Sequence, residues 1–160
     1  DIAADASIPV GNVYYYFRSK SDVALAVADG FVEDTGDMLA EITKAEADPR
    51  KRLGLLANRL AASQRSRMVH GCPVAAALRD FRAGAPKASE RAAEVFTMIS
   101  AFVATEAGRT GLRPALALGT GRAAVAEWQG GIVLGQAMQD GPAVAESARR
   151  LARILGVGET

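Results

Sequence analysis

The side chains with most to offer chemically stand close together near the start of the chain: Asn12, then Tyr14, Tyr15 and Tyr16, then Lys20. A carboxamide can pair with a base edge, a phenol can donate to a phosphate oxygen and an ammonium can neutralise one. Packing alone does not account for the tyrosines, because three successive side chains cannot all face one core in a helix or a strand. Elsewhere the sequence is poor in reactive sets. His70 and Cys72 lie two apart, but the chain holds 1 His and 1 Cys, and a metal site needs more ligands. They read as a loop histidine and a small buried thiol. Gly119-Thr120-Gly121-Arg122-Ala123-Ala124 matches G-x-G-x-x-A, yet Pro114 to Leu118 before it is no β-branched strand and no βαβ pattern surrounds it. That segment reads as a flexible helix start. Without a carboxylate pair, a nucleophile triad or a metal set, the chain is expected not to be an enzyme and to carry no metal or cofactor.

Such residues need a scaffold, and the composition favours a helical one. Of 160 residues, 49% are hydrophobic, with alanine dominant, and 6% aromatic; helices packed on helices suit that balance. A formal net charge of +1 creates no global basic field. One cysteine excludes an internal disulfide and suits a reducing compartment, and no apolar run reaches the length of a membrane span. A cytoplasmic protein without a membrane partner is therefore expected. The chain opens at Asp1, inside what reads as a helix and without a Met, so upstream sequence is expected too.

Along the chain, Asp1 to Ala6 reads as the end of a helix and Ser7-Ile8-Pro9 as a break. Val10 to Tyr16 is a short helix or a strand. Ser19-Lys20-Ser21-Asp22 has the form of a capping box, predicting a long helix from Asp22 to about Ala45. Its inward face would be Val23, Val27, Phe31, Met38 and Ile42. Asp48-Pro49 starts another helix, with Leu53, Leu56 and Leu60 inward, and Gly71-Cys72-Pro73 breaks it. Helices are then predicted from Pro73 to about Phe81 and from Pro86 to about Ala107, the latter with Ala92, Val95, Ile99 and Phe102 inward. A long, small-residue-rich one follows from Ala115 to Gln139, carrying Val125, Trp128, Ile132 and Gly135. After Asp140-Gly141-Pro142 a last helix carries Val144, Ala148, Leu151 and Leu155.

Residues 2–27, IAADASIPVGNVYYYFRSKSDVALAV, resemble the second half of the DNA-binding motif of the TetR family of transcriptional regulators. That motif runs roughly I-A-x-x-A-G-V-S-x-G-x-x-Y-x-H/Y-F-x-S-K-x-x-L. The matching positions are Ile2, Ala3, Ala6, Ile8, Gly11, Tyr14, Tyr16, Phe17, Ser19 and Lys20. Gly-Cys-Pro at 71–73 and Ala126-Glu127-Trp128-Gln129-Gly130 resemble segments of the regulatory domain in some members. The resemblance implies an all-α protein: a truncated helix-turn-helix module in residues 1–30, its first helix missing, followed by a helical ligand-binding and dimerisation domain in residues 31–160. Two positions depart from the motif. Pro9 stands where Ser or Thr is common, and Ser7 stands where the turn has Gly, which is tolerable if its φ is negative.

A helix-turn-helix lays its second helix in the major groove, N-terminal residues towards the base edges. Here that helix is about Val10 to Tyr15, with Pro9 in its first turn. Val10 can touch a thymine methyl and Asn12 an adenine edge. Tyr14 and Tyr16 can donate to phosphates, Tyr15 is a further groove contact, and Lys20 adds a cation at the positive end of the next helix. Ile2, Ala6, Ile8, Val13 and Phe17 read as the core of the module. Residues 1–30 hold Arg18 and Lys20 against Asp1, Asp5, Asp22 and Asp29, so a basic surface for phosphates is expected from residues upstream.

The resemblance also implies a cavity for a small, mostly apolar ligand, with Met38, Met68, Phe81, Phe96, Phe102 and Trp128 as candidate lining. It implies a homodimer through the last two helices, where Gly130, Gly131 and Gly135 allow close approach. The function expected is a ligand-responsive regulator, a repressor that binds operator DNA as a homodimer and is released by a small apolar effector. The alternative is a small-molecule-binding or enzymatic helical protein with no DNA role; a plain dimerisation module is a third.

Overall fold

A computed structural model describes residues 2–139 and 141–158. The fold is all-α. Among the described residues there are eight helices and no strand: α1 (Ile2–Asp5), α2 (Val10–Tyr16), α3 (Lys20–Ala45), α4 (Pro49–Ser66), α5 (Pro73–Gly84), α6 (Pro86–Arg109), α7 (Pro114–Met138) and α8 (Gly141–Ile154). The choice left open at Val10 to Tyr16 resolves as helix. Asp140 of the expected stop lies outside the described residues.

The helix boundaries follow from local chemistry. Ser19 and Asp22 form the full capping box: the Asp22 N–H donates to Ser19 Oγ (3.1 Å) and the Ser19 N–H to Asp22 Oδ2 (2.9 Å). Asp48 Oδ1 accepts from the Arg50 and Lys51 amides at 2.7 and 3.3 Å, satisfying donors that an uncapped helix start would leave free. Residue 30 falls in the interior of α3, which runs unbroken from the motif into the bundle.

Helix α6 is central, packing on α3 and α7, with α5 beside it; α8 lies on α7, and α4 closes the bundle beneath α6, α7 and α8. Leu56, Ile99, Val103, Ile132 and Leu151 are its innermost side chains. The inward face of α3 differs from the expectation. Ala24, Ala28, Val32 and Ile42 are buried, whereas Val27 is exposed and Val23, Phe31 and Met38 are only partly covered. The crossing is built on small residues: Ala28 on α3 and Ala88 and Ala92 on α6 are all nearly inaccessible. Alanines bring two helices close, and the bulkier side chains are turned to the flanks.

Small residues do the same for α7. A Cβ at Gly121 would collide with the Ser100 carbonyl oxygen, one at Gly131 with Gln64 Nε2 and Ser147 Oγ, and one at Gly135 with Val144 Cγ2. Gly131 and Gly135, expected at a subunit seam, thus serve packing within the chain, while Gly130 faces open space. Around Gly131 lies a buried polar knot. Gln64 Nε2 donates to the Trp128 carbonyl (3.1 Å) and to Ser147 Oγ (2.9 Å), and Ser147 Oγ donates to Glu127 (2.7 Å). A second buried polar group, Glu106, ties α6 to α4 by accepting from Arg52 (3.3 Å) and also pairs with Arg109 (2.7 Å).

Candidate nucleic-acid interface and ligand cavity

The first two helices flank a four-residue turn, residues 6–9. Its sharpest point is Ser7, whose φ is +54°. The sequence reading tolerated serine here only at negative φ; the backbone instead takes the left-handed form that the motif's glycine would adopt, because the Ile8 N–H must turn back to the Ala3 carbonyl (3.0 Å). Left-handed backbone costs a side-chain-bearing residue roughly 1–2 kcal/mol. Pro9 sits one place earlier than expected, as the N-cap of α2 (φ −59°, ψ 138°), and the Asn12 N–H donates to its carbonyl at 2.9 Å.

Helix α2 has no buried residue. Val10, Asn12, Tyr14, Tyr15 and Tyr16 are all exposed, as is Lys20 in the first turn of α3. Tyr15 is 79% accessible, and its ring meets that of Tyr16 edge-on at 5.0 Å. The six residues singled out for DNA are therefore all solvent-facing on two adjoining helices, but not on one side of them: Val10, Tyr14 and Lys20 border an apolar cleft that Asn12, Tyr15 and Tyr16 do not line. A Cβ at Gly11 would meet nothing within the chain, so the close approach this glycine permits is towards whatever lies outside. Of the module's expected core, Val13 and Phe17 are half-covered, but Ile2, Ala6 and Ile8 are exposed; the one buried residue of α1 is Ala3, which is not among them. No described helix covers their flank, where Ile2, Val10, Val13, Phe17 and Val23 border an open cleft of about 240 Å³.

The acidic residues near this surface are partly spent. Asp22 is held in the capping box, and Asp29 accepts from Arg91 Nε at 2.7 Å. The hydrogen bond that Arg91 donates to Asp29, joined by one it donates to Glu94, holds its guanidinium above its ordinary pKa. Ser21 Oγ donates to the Gly84 carbonyl at 3.0 Å, so the end of α5 and the start of α3 are joined.

A second cavity, of about 250 Å³ and partly open to solvent, lies between α3, α4, α5, α6 and α7. Phe31, Thr35 and Met38 come from α3, Leu60, Ser63 and Arg67 from α4 and its C-cap, Val95 and Ile99 from α6, and Trp128 from α7. Of the six residues suggested by the sequence, Met38 and Trp128 line it. Phe96 stands beside Trp128, rings 6.1 Å apart; Phe81 and Phe102 pack on the core; Met68 lies by Gly135. Periodicity could have found the others: Phe31, Thr35 and Met38 recur at four and three, and Leu60, Ser63 and Arg67 at three and four, each set on one helical face. Pro73 and Val74, the first residues of α5, also line the cavity, so α5 reaches from the cavity to Ser21.

Among the described residues, no three His, Cys, Asp or Glu side chains are grouped as a metal site would need. His70 is exposed and Cys72 buried. The G-x-G-x-x-A segment lies inside α7, with no strand before it.

This architecture has a solved counterpart. The chain superposes on the crystal structure of a TetR transcriptional regulator from Legionella pneumophila with a TM-score of 0.81, over 96% of this chain and 83% of that one. At 16% identity the two share a fold. No protein-family model and no curated protein matches the sequence. No described helix is long and apolar enough to cross a membrane.

Proposed function

We propose that the protein is a ligand-responsive transcriptional regulator of the TetR type, without catalytic activity, that binds operator DNA as a homodimer and represses until a small effector enters the bundle cavity. The observation that carries the reading is the exposure of α2 and the α3 start, where Val10, Asn12, the three tyrosines and Lys20 stand unburied in the register of the motif. On this reading residues 1–30 read DNA and residues 31–160 bind ligand and pair the subunits. The counterpart fold, described for a transcriptional regulator, supports it by analogy.

The pairing surface is the outer side of α7. Leu116, Gly119, Ala123, Ala126, Gly130 and Val133 recur every three or four residues, and every one is exposed and uncharged. An apolar stripe of that length on one helix fits a partner helix better than water. A dimer with two reading helices about 34–36 Å apart would meet successive major grooves, and an effector favouring a different spacing would lower DNA affinity by linkage.

The test is a fluorescence titration of the full-length protein on its own upstream promoter. Binding should fall steeply with salt. Lys20→Ala should weaken all sequences alike, whereas Asn12→Ala should change which are preferred, at about 1–3 kcal/mol for the affected base. Absence of salt-sensitive, sequence-selective binding would sink the regulator and leave a small-molecule-binding protein.

A further inference from the structure

The polar groups around the bundle cavity are nearly all committed to the protein itself. Trp128 Nε1 donates to Ser63 Oγ (2.8 Å), Ser63 Oγ to the Leu60 carbonyl (2.8 Å), and Thr35 Oγ1 to the Phe31 carbonyl (2.8 Å). Arg59 is paired with Glu41 at 3.3 Å. Two lining residues are exceptions: Asp34, which is exposed, and Arg67. Arg67 is half-buried and lies over the Trp128 ring, 5.3 Å from the centroid. Among the described residues its one side-chain hydrogen bond is from Nη1 to Cys72 Sγ, a weak acceptor at 3.8 Å. No carboxylate among the described residues pairs with it. A guanidinium carries five N–H donors in a planar fork matched to a carboxylate, and its face is already held by the indole.

A second source of positive potential points the same way. Helix α5 begins at Pro73 and Val74, which line this cavity, and its N-cap, Cys72, makes no side-chain capping bond. Its first free amides and the positive end of its dipole are therefore left uncompensated. The opposing charge is Asp34, an exposed residue on the α3 wall; exposure lets water screen it more than the half-buried Arg67. The remaining lining is aliphatic and aromatic. At about 250 Å³ the space is below the roughly 300–1,000 Å³ of pockets for drug-sized ligands.

We propose that the cavity takes a small organic anion: a single apolar ring or short chain bearing one carboxylate, its body against Trp128, Met38 and Ile99 and its carboxylate on the Arg67 fork. This rests on reading the cavity as the effector site and adds the chemistry of the effector.

Trp128 is the single tryptophan, so its fluorescence reports the cavity directly. Phenylacetate, phenylacetamide and phenethylamine present one ring with an anionic, neutral or cationic head. Phenylacetate should saturate the fluorescence change with at least tenfold higher affinity than the amide, and the amine should be weakest. Arg67→Met should bring phenylacetate down to the amide's affinity and leave the amide unchanged; Arg67→Lys should retain part of the preference. If Arg67→Met does not fold, as judged by its melting curve, Asp34→Asn serves instead and should tighten phenylacetate alone. Equal binding of acid and amide, preference for the amine, or no binding by any of the three overturns the proposal. Phenylacetate binding that leaves operator affinity unchanged would uphold the anion site and sink the effector reading. A neutral arene that releases DNA while phenylacetate fails to bind would do the reverse.

Discussion

Two adjacent glycines on α7 should respond to the same substitution with opposite signs. At Gly130 an added Cβ meets nothing within the chain, so Gly130→Ala removes only the entropic penalty of a helical glycine, a gain of about 0.8–1 kcal/mol. At Gly131 the Cβ would overlap Gln64 Nε2 and Ser147 Oγ, and would lie 2.8 Å from Ser147 Cβ. Neither neighbour yields easily. Gln64 is completely buried and bonded to the Trp128 carbonyl and Ser147 Oγ, and Ser147 Cβ is fixed to the α8 backbone. Overpacking of this kind costs about 1–3 kcal/mol, and displacing Gln64 forfeits up to two hydrogen bonds of roughly 1 kcal/mol each. After the helical gain, Gly131→Ala should lose about 2 kcal/mol. The two variants should therefore differ by roughly 3 kcal/mol, about a hundredfold in unfolding constant. Urea melts followed by circular dichroism at several protein concentrations measure this and separate fold stability from any effect of Gly130 on subunit pairing. If Gly131→Ala is as stable as the parent, or Gly130→Ala is the weaker of the two, the close α7–α8 approach is wrong.

Three further outcomes follow from the same geometry. Ser7→Gly should relieve left-handed strain of about 1–2 kcal/mol at an entropic cost of about 0.5–1, so amide exchange in α2 should slow modestly; faster exchange would contradict the positive φ. Glu106→Gln keeps the shape but leaves the Arg52 guanidinium, 13% accessible, without its anion, and should cost about 3 kcal/mol in thermal or urea melts. Ala126→Arg places a charge on the outer stripe of α7, where nothing in the chain is disturbed; sedimentation should show a folded monomer in place of a dimer, and an unchanged dimer would move the seam elsewhere.

The helix ends were legible in the sequence because each is set by neighbours in the chain: Ser19 with Asp22, Asp48 with Pro49, Pro73 and Pro86 in first turns. What escaped depends on residues far apart in sequence. Bulk suggested Val23 and Val27 as the inner face of α3, but the face is chosen by the alanines of α6, which no local pattern on α3 announces. The turn at Ser7 is left-handed because the Ile8 amide must reach Ala3, a demand that outweighs the preference of serine. Gly131 and Gly135 read equally well as an outer seam or an inner contact until Gln64, Ser147 and Val144 are in place. For the cavity, hydrophobicity singled out Met38 and Trp128 but passed over Arg67, a charged residue whose guanidinium lies over an indole from 61 positions further on.

The attachment of the reading surface to the bundle bears on how a ligand so small could matter. From Ala28 onward α3 is held by the tight alanine crossing with α6, whereas in its first turns only Ala24 is buried and Leu25 and Val27 are exposed. Among the described residues the long-range side-chain ties at this end are Ser21 to the Gly84 carbonyl and, just past Ala28, Asp29 to Arg91, both at solvent-exposed or half-exposed positions where such contacts are weak and screened. The α2 surface is thus joined to a lightly restrained end of α3. Helix α5 supplies one of these ties at its end and two cavity-lining residues, Pro73 and Val74, at its start. A coupling free energy of about 1–3 kcal/mol is typical of allosteric control. A mount this loosely held needs no more than that to be shifted, whereas a reading helix locked into the alanine crossing would need the bundle itself to repack.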